Sequence, residues 1–235
     1  MKGYYSILRK LREIKEMGYI KTHRAGNTGI GRTLEDLLGI KENNIPGPNA
    51  RMVELKSARK NGSSMLTLLT KSPLPRKANS VLLERFGYKS ELGNNKKELH
   101  TTVSAKEFNT LKGKSGFKIV IEKDRVNLVT VASEVVGYWD KETLKRSFER
   151  KIPKLLYVKA DSRGSGSDEE FWFNEAWLLS GFDFKNFVGL LHEGTILVDI
   201  RIGRYPDGRA HDHGTGFRVL PAKLDLCFEH REKIL

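Results

Sequence analysis

The sequence predicts a mixed α/β or α+β fold around a mixed central sheet with flanking helices. Two observations point there: stretches of helical spacing and stretches rich in β-branched or alternating apolar residues follow one another, and no internal repeat organises them. A third bounds the size. With 235 residues, 38% of them hydrophobic, the chain can bury a sizeable core as one large domain or two packed lobes.

The elements follow in order. Tyr4 to Met17 places apolar residues at Tyr4, Ile7, Leu8, Leu11 and Ile14, an amphipathic helix ending near Gly18. "AGNTGIGRTLEDLLGI" is a glycine-rich turn and then a helix with Ile30, Leu34, Leu37 and Leu38 on one stripe. Its glycines loosely suggest a phosphate-cradling loop, yet no strand precedes them and no Gly-Lys-Ser/Thr follows. The stretch reads as a loop and helix start that can lie near a phosphate backbone. Arg51 to Ala58 and Ser64 to Thr70 read as strands joined by "RKNGS", whose Asn-Gly pair is a hairpin signal. "KANSVLLERFGY" is a short helix. Phe117 to Ile121 and Val126 to Val131 form a second hairpin. Asp140 to Arg150 is a helix, and Leu155 to Ala160 and Phe171 to Leu179 are strands around the flexible "DSRGSGSDEE". Phe184 to His192 is helical, Thr195 to Ile202 a strand, and Ala222 to Leu235 a closing helix that buries Cys227.

Composition limits the partners. Lys and Arg number 42 against 29 acidic residues, a formal charge of +13, which predicts attraction to a polyanion, nucleic acid first. No long amphipathic basic helix suggests a membrane surface, and no run approaches a membrane span. A single cysteine leaves no intramolecular disulfide framework and no cysteine-based zinc site. Charges spread through the first twenty residues do not suit a signal peptide, so the chain is expected to be cytoplasmic.

The stretch "GPNARMVELKSARKNG" carries the chemistry. On a strand Glu54 and Lys56 share one face while Val53 and Leu55 point into packing. Hydrolysing a phosphodiester needs a divalent ion held by oxygens, and magnesium takes a few carboxylates while keeping several waters. A lysine beside them can orient the attacking water and offset charge developing on the phosphate. Alone, Glu-x-Lys is also an ordinary solvated pair. Glu35 on the preceding helix, Pro48-Asn49 before the strand and the basic chain give it company.

The stretch "VDIRIGRYPDGRAHDHGTGFRV" suits base recognition. Asp199 and Arg201 share a strand face, His211-Asp212-His213 lies in a glycine-punctuated loop, and Arg218 stands in the next strand. Arginine forks onto guanine, aspartate accepts from cytosine and histidine donates to guanine. A zinc site would need further ligands that no nearby cysteine or histidine supplies, and an HNH-like centre lacks its ββα-metal context. An ordinary polar turn is the bland alternative.

In these residues the chain resembles the MvaI/BcnI type II restriction endonucleases, nearer the MvaI side, within the PD-(D/E)xK nucleases related to the nickase MutH. "NTGIGRTLEDLL", "VELKSARKNGSSMLTLLTKSP", "ANSVLLERFGY" and "VDIRIGRYPDG…HDHGTGFRV" carry the resemblance in the same order, while residues about 105–180 match poorly. It implies a restriction-endonuclease-like, MutH-like fold: one two-lobed domain over 1–235 around a DNA cleft. The catalytic lobe would be mainly 1–110 with part of 150–195, the recognition lobe mainly 195–220 with part of the middle. It further implies a monomer cutting double-stranded DNA at a short pseudopalindromic site, C·G pairs flanking a central pair. Magnesium would be the cofactor, calcium a non-catalytic substitute, and the same host would hold a cognate DNA methyltransferase.

Carried over residue by residue, Glu54 matches the metal-binding glutamate, Lys56 the catalytic lysine and Glu35 the supporting acid. The implied metal set is Asn49, Glu54 and Leu55. Asp199, Arg201, His211, Asp212, His213 and Arg218 match base-reading positions, and Lys71 lies on a segment that approaches DNA. Asn49 is the departure, standing where the family has its metal-binding aspartate. A carboxamide is neutral and offers one weak oxygen, so local charge toward the cation falls by one unit. Asp36, beside Glu35 on the helix, faces elsewhere. The expectation is a site-specific endonuclease impaired by Asn49. A MutH-like nickase is the alternative within enzymes, against which "HDHGTGFR" argues. A DNA-binding protein without catalysis is the alternative outside them.

Overall fold

A computed structural model of the chain describes residues 4–40, 53–90, 96–152, 154–205 and 207–235. Asn49 lies outside the described residues. The chain opens with α1 (Tyr4–Glu16), β1 (Ile20–Lys21), α2 (Gly29–Leu38), β2 (Glu54–Arg59) and β3 (Leu66–Thr70). Next come α3 (Ala78–Phe86), β4 (Tyr88–Lys89), β5 (Lys97–Val103), β6 (Thr110–Leu111), β7 (Lys114–Ser115), β8 (Phe117–Ile121), β9 (Arg125–Thr130) and β10 (Val135–Asp140). Then α4 (Lys141–Lys151), β11 (Lys154–Arg163), β12 (Glu170–Ser180), α5 (Phe184–His192), β13 (Ile196–Arg204), β14 (Ala210–Asp212), β15 (Gly216–Val219) and β16 (His230–Lys233) complete it. The mixed α+β class is as predicted. Among the described residues no helix is long and apolar enough to cross a membrane.

Two compact units are present. The first comprises Met1–Leu66, Glu149–Asp183 and Leu220–Leu235. Its sheet runs β1-β12-β11-β2, with β16 also paired to β12, and it is mixed because β2 lies parallel to β11. The helical stripes read from the sequence make its core: Ile7, Leu11 and Ile14 of α1 and Ile30, Leu34 and Leu38 of α2 pack on Leu55, Leu156, Val158, Phe171 and Phe173. Each such fully buried side chain is worth about 1.5–3 kcal/mol of transfer free energy. Gly39 ends α2 in the left-handed region at φ 65°, its N–H bonded to the Asp36 carbonyl.

The second unit comprises Thr67–Phe148 and Phe184–Val219. It holds the sheet β3-β15-β13-β5-β4, with β14 on β13, and the three-stranded sheet β10-β9-β8. Trp139, Phe148, Phe187 and Phe217 form its aromatic core, with ring centroids 5.2–5.5 Å apart. β5 belongs here because Leu99 to Val103 pair antiparallel with β13.

Two expectations need correction. β2 and β3 do not form a hairpin: β2 pairs with β11 and β3 with β15, so the Asn61-Gly62 turn sends the chain to a different sheet. The C-terminal segment is not one helix but a 3-10 turn, Pro221–Cys227, followed by β16. Leu224 and Cys227 in the turn and Phe228 after it are buried without a helix, and β16 then satisfies backbone groups along β12. Cys227 is buried as expected, and burial pushes its thiol up to about 12.

Candidate active site and recognition surface

In the first unit, β2 carries Glu54 and Lys56 on one face, as the period of two requires. Glu54 is 4% exposed. Its Oε1 lies 2.9 Å from Lys56 Nζ, while its Oε2 is buried with no hydrogen-bond partner among the described residues. An anionic oxygen left so costs roughly 1–3 kcal/mol or more unless a cation or proton meets it. A hard divalent ion is the partner such an oxygen suits, so the donor chemistry fits the metal implied by the resemblance. Leu55 can add only its main-chain carbonyl.

A cavity of about 300 Å³ in the same unit is lined by Arg24, Asn27, Arg32, Glu35, Lys56 and Ser57, among others. Glu35 and Lys56 thus face one space, and the glycine-rich loop forms part of its wall. The glycines there are needed by the backbone. Gly26 has φ +87°, and a Cβ on Gly29 would collide with the Arg24 carbonyl. Asp36 is turned away, accepting from Arg32 Nε at 3.0 Å and lying 3.0 Å from His23 Nδ1. The His23 hydrogen bond, outweighing partial burial and helped by Arg32, holds its carboxyl below the usual range.

The second unit assembles the other residues on β13, β14 and β15. Asp199 is fully buried. Its Oδ1 accepts from Thr102 Oγ1 at 3.0 Å and its Oδ2 from Arg201 Nε at 2.8 Å. Arg218 Nε lies 3.0 Å from the same Oδ2 but is not aligned as a hydrogen bond. Burial lowers the Arg218 pKa and Asp199 opposes that shift. Asp199 therefore orders two arginine forks. Arg201, 40% exposed, keeps its outer nitrogens available.

Asp212 is also occupied. Its Oδ2 accepts from Ser72 Oγ at 2.5 Å and Asn79 Nδ2 at 3.0 Å, and its Oδ1 from the Gly214 and Thr215 amides at 2.9 and 2.6 Å. Burial would raise its pKa, but these bonds outweigh it and the carboxyl titrates below the usual value. Asp212 thereby fixes the turn on which its neighbours stand. Tyr205 stacks on His211 with centroids 4.0 Å apart, His211 lies 4.1 Å from His213, and His213 meets His100 edge-on at 6.2 Å. His213 also packs over Gly203, where a Cβ would come within 2.6 Å of its Nε2. Lys71 is anchored beside this turn, its N–H donating to the Thr215 carbonyl and its carbonyl accepting from Trp139 Nε1.

Sequence reasoning brought the two groups out but missed their supports: His100 and Thr102 on β5, Ser72 and Asn79 behind Asp212, and Thr215, whose Oγ1 accepts from the Arg201 amide. Only the alternation in "ELHTTV" hinted at β5.

The model of the MvaI/BcnI restriction endonuclease family matches residues 8–228, running through the middle segment expected to match poorly. Among solved structures, the chain is similar to "Restriction endonuclease MvaI-cognate DNA substrate complex". That match has 31% identity, TM-score 0.85 and full coverage of both chains. It is also similar to "Restriction endonuclease MvaI in the absence of DNA", at 30% identity and TM-score 0.57, covering 100% of this chain and 99% of that one. The comparison with curated proteins gives no match. A family match over nearly the whole length, with Glu54 and Lys56 on one strand and an ordered arginine and histidine cluster elsewhere, places the chain in the MvaI/BcnI restriction endonuclease family.

Proposed function

We propose that this type II restriction endonuclease hydrolyses duplex DNA with magnesium at Glu54 and Lys56, and that Asn49 impairs the step. The observation that carries the reading is the buried Glu54 with Oε1 on Lys56 and Oε2 without a partner among the described residues. Glu54 Oε2, the Leu55 carbonyl and residue 49 would hold the ion. When bound, a divalent ion polarises the phosphoryl group and lowers the pKa of water. Lys56 would orient the attacking water and meet negative charge developing on the phosphate. Glu35, lining the same cavity, would support Lys56. The likeness to an MvaI complex with cognate DNA supports a duplex substrate.

Recognition would fall to Arg201, Arg218, His211 and His213, ordered by Asp199 and Asp212, with Lys71 alongside. The target is a short site of the CC-N-GG kind, read by a monomer in the cytoplasm of a host that also makes the cognate methyltransferase. One observation favours a second reading, a DNA-binding protein without catalysis: Asn49 is neutral where an anionic ligand is wanted. Cleavage in magnesium and binding in calcium separate the two. Asn49→Asp should turn a poor nuclease into an efficient one with little change in calcium-supported affinity, since polarisation matters more to catalysis than to binding. Equal, rapid cutting by both chains would remove Asn49 as a weakened ligand. Binding without cutting by either would establish the second reading.

A further inference from the structure

β5 gives the recognition cluster a second row of side chains. In its antiparallel register with β13, His100 stands opposite Arg201 and Thr102 opposite Asp199, so the four share one face of the sheet. Thr102 already bonds to Asp199 there. The His100 backbone is held from β4: its N–H donates to the Tyr88 hydroxyl at 3.3 Å, and its carbonyl accepts from that hydroxyl at 3.1 Å. The ring Nε2, by contrast, is buried with no hydrogen-bond partner among the described residues. A nitrogen shut off from water in that way costs stability.

The ring that faces His100 is His213, edge-on with centroids 6.2 Å apart. Two imidazoles joined by an N–H···N bond hold their centroids about 5 Å apart, so the pair stands roughly one ångström short of bonding. His213 is exposed on its outer side and packs over Gly203, whose missing Cβ leaves the ring its space. Burial, then repulsion from His211 and His100, lower its pKa against the opposing pull of Asp212 and Glu98, so near pH 7 the ring is neutral. A neutral imidazole has one donor and one acceptor nitrogen, and the bond made by one decides the role left to the other.

We propose that His100 is a positioning residue for base recognition: in the DNA complex its Nε2–H donates to His213, which leaves His213 an outward N–H for a guanine acceptor. The assignment rests on the base-reading role given to His213 above. It adds a residue of β5 that the "HDHGTGFR" motif does not contain.

The test compares affinity for a CC-N-GG duplex with affinity for random duplex, in calcium, for the full chain and for His100→Phe, His100→Leu and His100→Gln. His100→Phe keeps an aromatic edge toward His213 and removes an unsatisfied nitrogen, so its melting should be unchanged or raised. Its preference for the site should nevertheless fall about tenfold, the loss of one hydrogen bond, while random binding holds. His100→Leu serves as a second variant without a nitrogen if Phe proves unstable. His100→Gln places an amide donor where Nε2 stood and should recover most of the preference. A packing role predicts the reverse order, with Phe retaining the preference and Gln losing it. Full preference in well-folded His100→Phe or His100→Leu overturns the proposal. So do two protonated nitrogens on His213 in the parent complex, read from its ring nitrogen NMR shifts. A parent that binds both duplexes equally overturns the recognition reading itself, and the parent's own curves tell the two failures apart.

Discussion

Removing the Asp199 carboxylate should both destabilise the second unit and erase discrimination between cognate and random DNA. The carboxylate is fully buried and receives one hydroxyl hydrogen bond, one charge-assisted bond from Arg201 and an ionic contact from Arg218. A neutral hydrogen bond contributes about 1 kcal/mol net and a charge-assisted one about 1.5–3 kcal/mol. Deleting one partner of a buried ion pair costs about 3–5 kcal/mol, because the remaining charge is left uncompensated. Arg201 is 40% exposed and can recruit water, so the lower end applies and Asp199→Ala should cost about 3 kcal/mol. Asp199→Asn keeps the shape and one acceptor and should cost less, about 1–2 kcal/mol. The assay pairs denaturant unfolding with competition binding against random duplex in calcium. Loss should appear in both, and discrimination should fall at more than one base pair if both arginines read bases as proposed. Were Asp199 a direct reader of cytosine, its loss would cost about 1–3 kcal/mol at one base pair and leave folding untouched. An unchanged unfolding midpoint with a defect confined to one base pair would refute the positioning argument.

Other outcomes follow from the same geometry. Gly203→Ala would put a Cβ within 2.6 Å of His213 Nε2, so the ring must shift. Cognate affinity should drop several-fold while melting changes little, and retention of full affinity would show that His213 placement is unimportant. Asp212 has its pKa lowered on folding because its hydrogen bonds outweigh burial. Its contribution is therefore complete above the unfolded carboxyl pKa, about pH 4, and is lost as pH falls through the lower folded value. Acid unfolding should be less steep in Asp212→Asn than in the parent. Finally, calcium should raise the melting temperature of Asn49→Asp more than that of the parent, since a ligand that binds the folded state adds about 2.7 kcal/mol at a hundred times its Kd. Glu54→Ala should abolish the gain, and a gain that survives would place the ion elsewhere.

What the sequence determined by itself was whatever depends on neighbours along the chain. The stripes of α1, α2 and α5 and the β8–β9 hairpin follow from local periodicity, and Glu54 and Lys56 share a face because any strand there must alternate. Family resemblance then attached roles to these residues that spacing alone would leave open. Tertiary structure decided what depends on partners distant in sequence. The Asn61-Gly62 turn signals a reversal, but which strand β2 pairs with is set by burial against β11, more than ninety residues on. Likewise "LDLCFEHREKIL" has helical spacing, yet an open edge on β12 takes its last residues as a strand. Nor could spacing show that Thr102 bonds to Asp199, or Ser72 and Asn79 to Asp212, since these partners lie on separate segments.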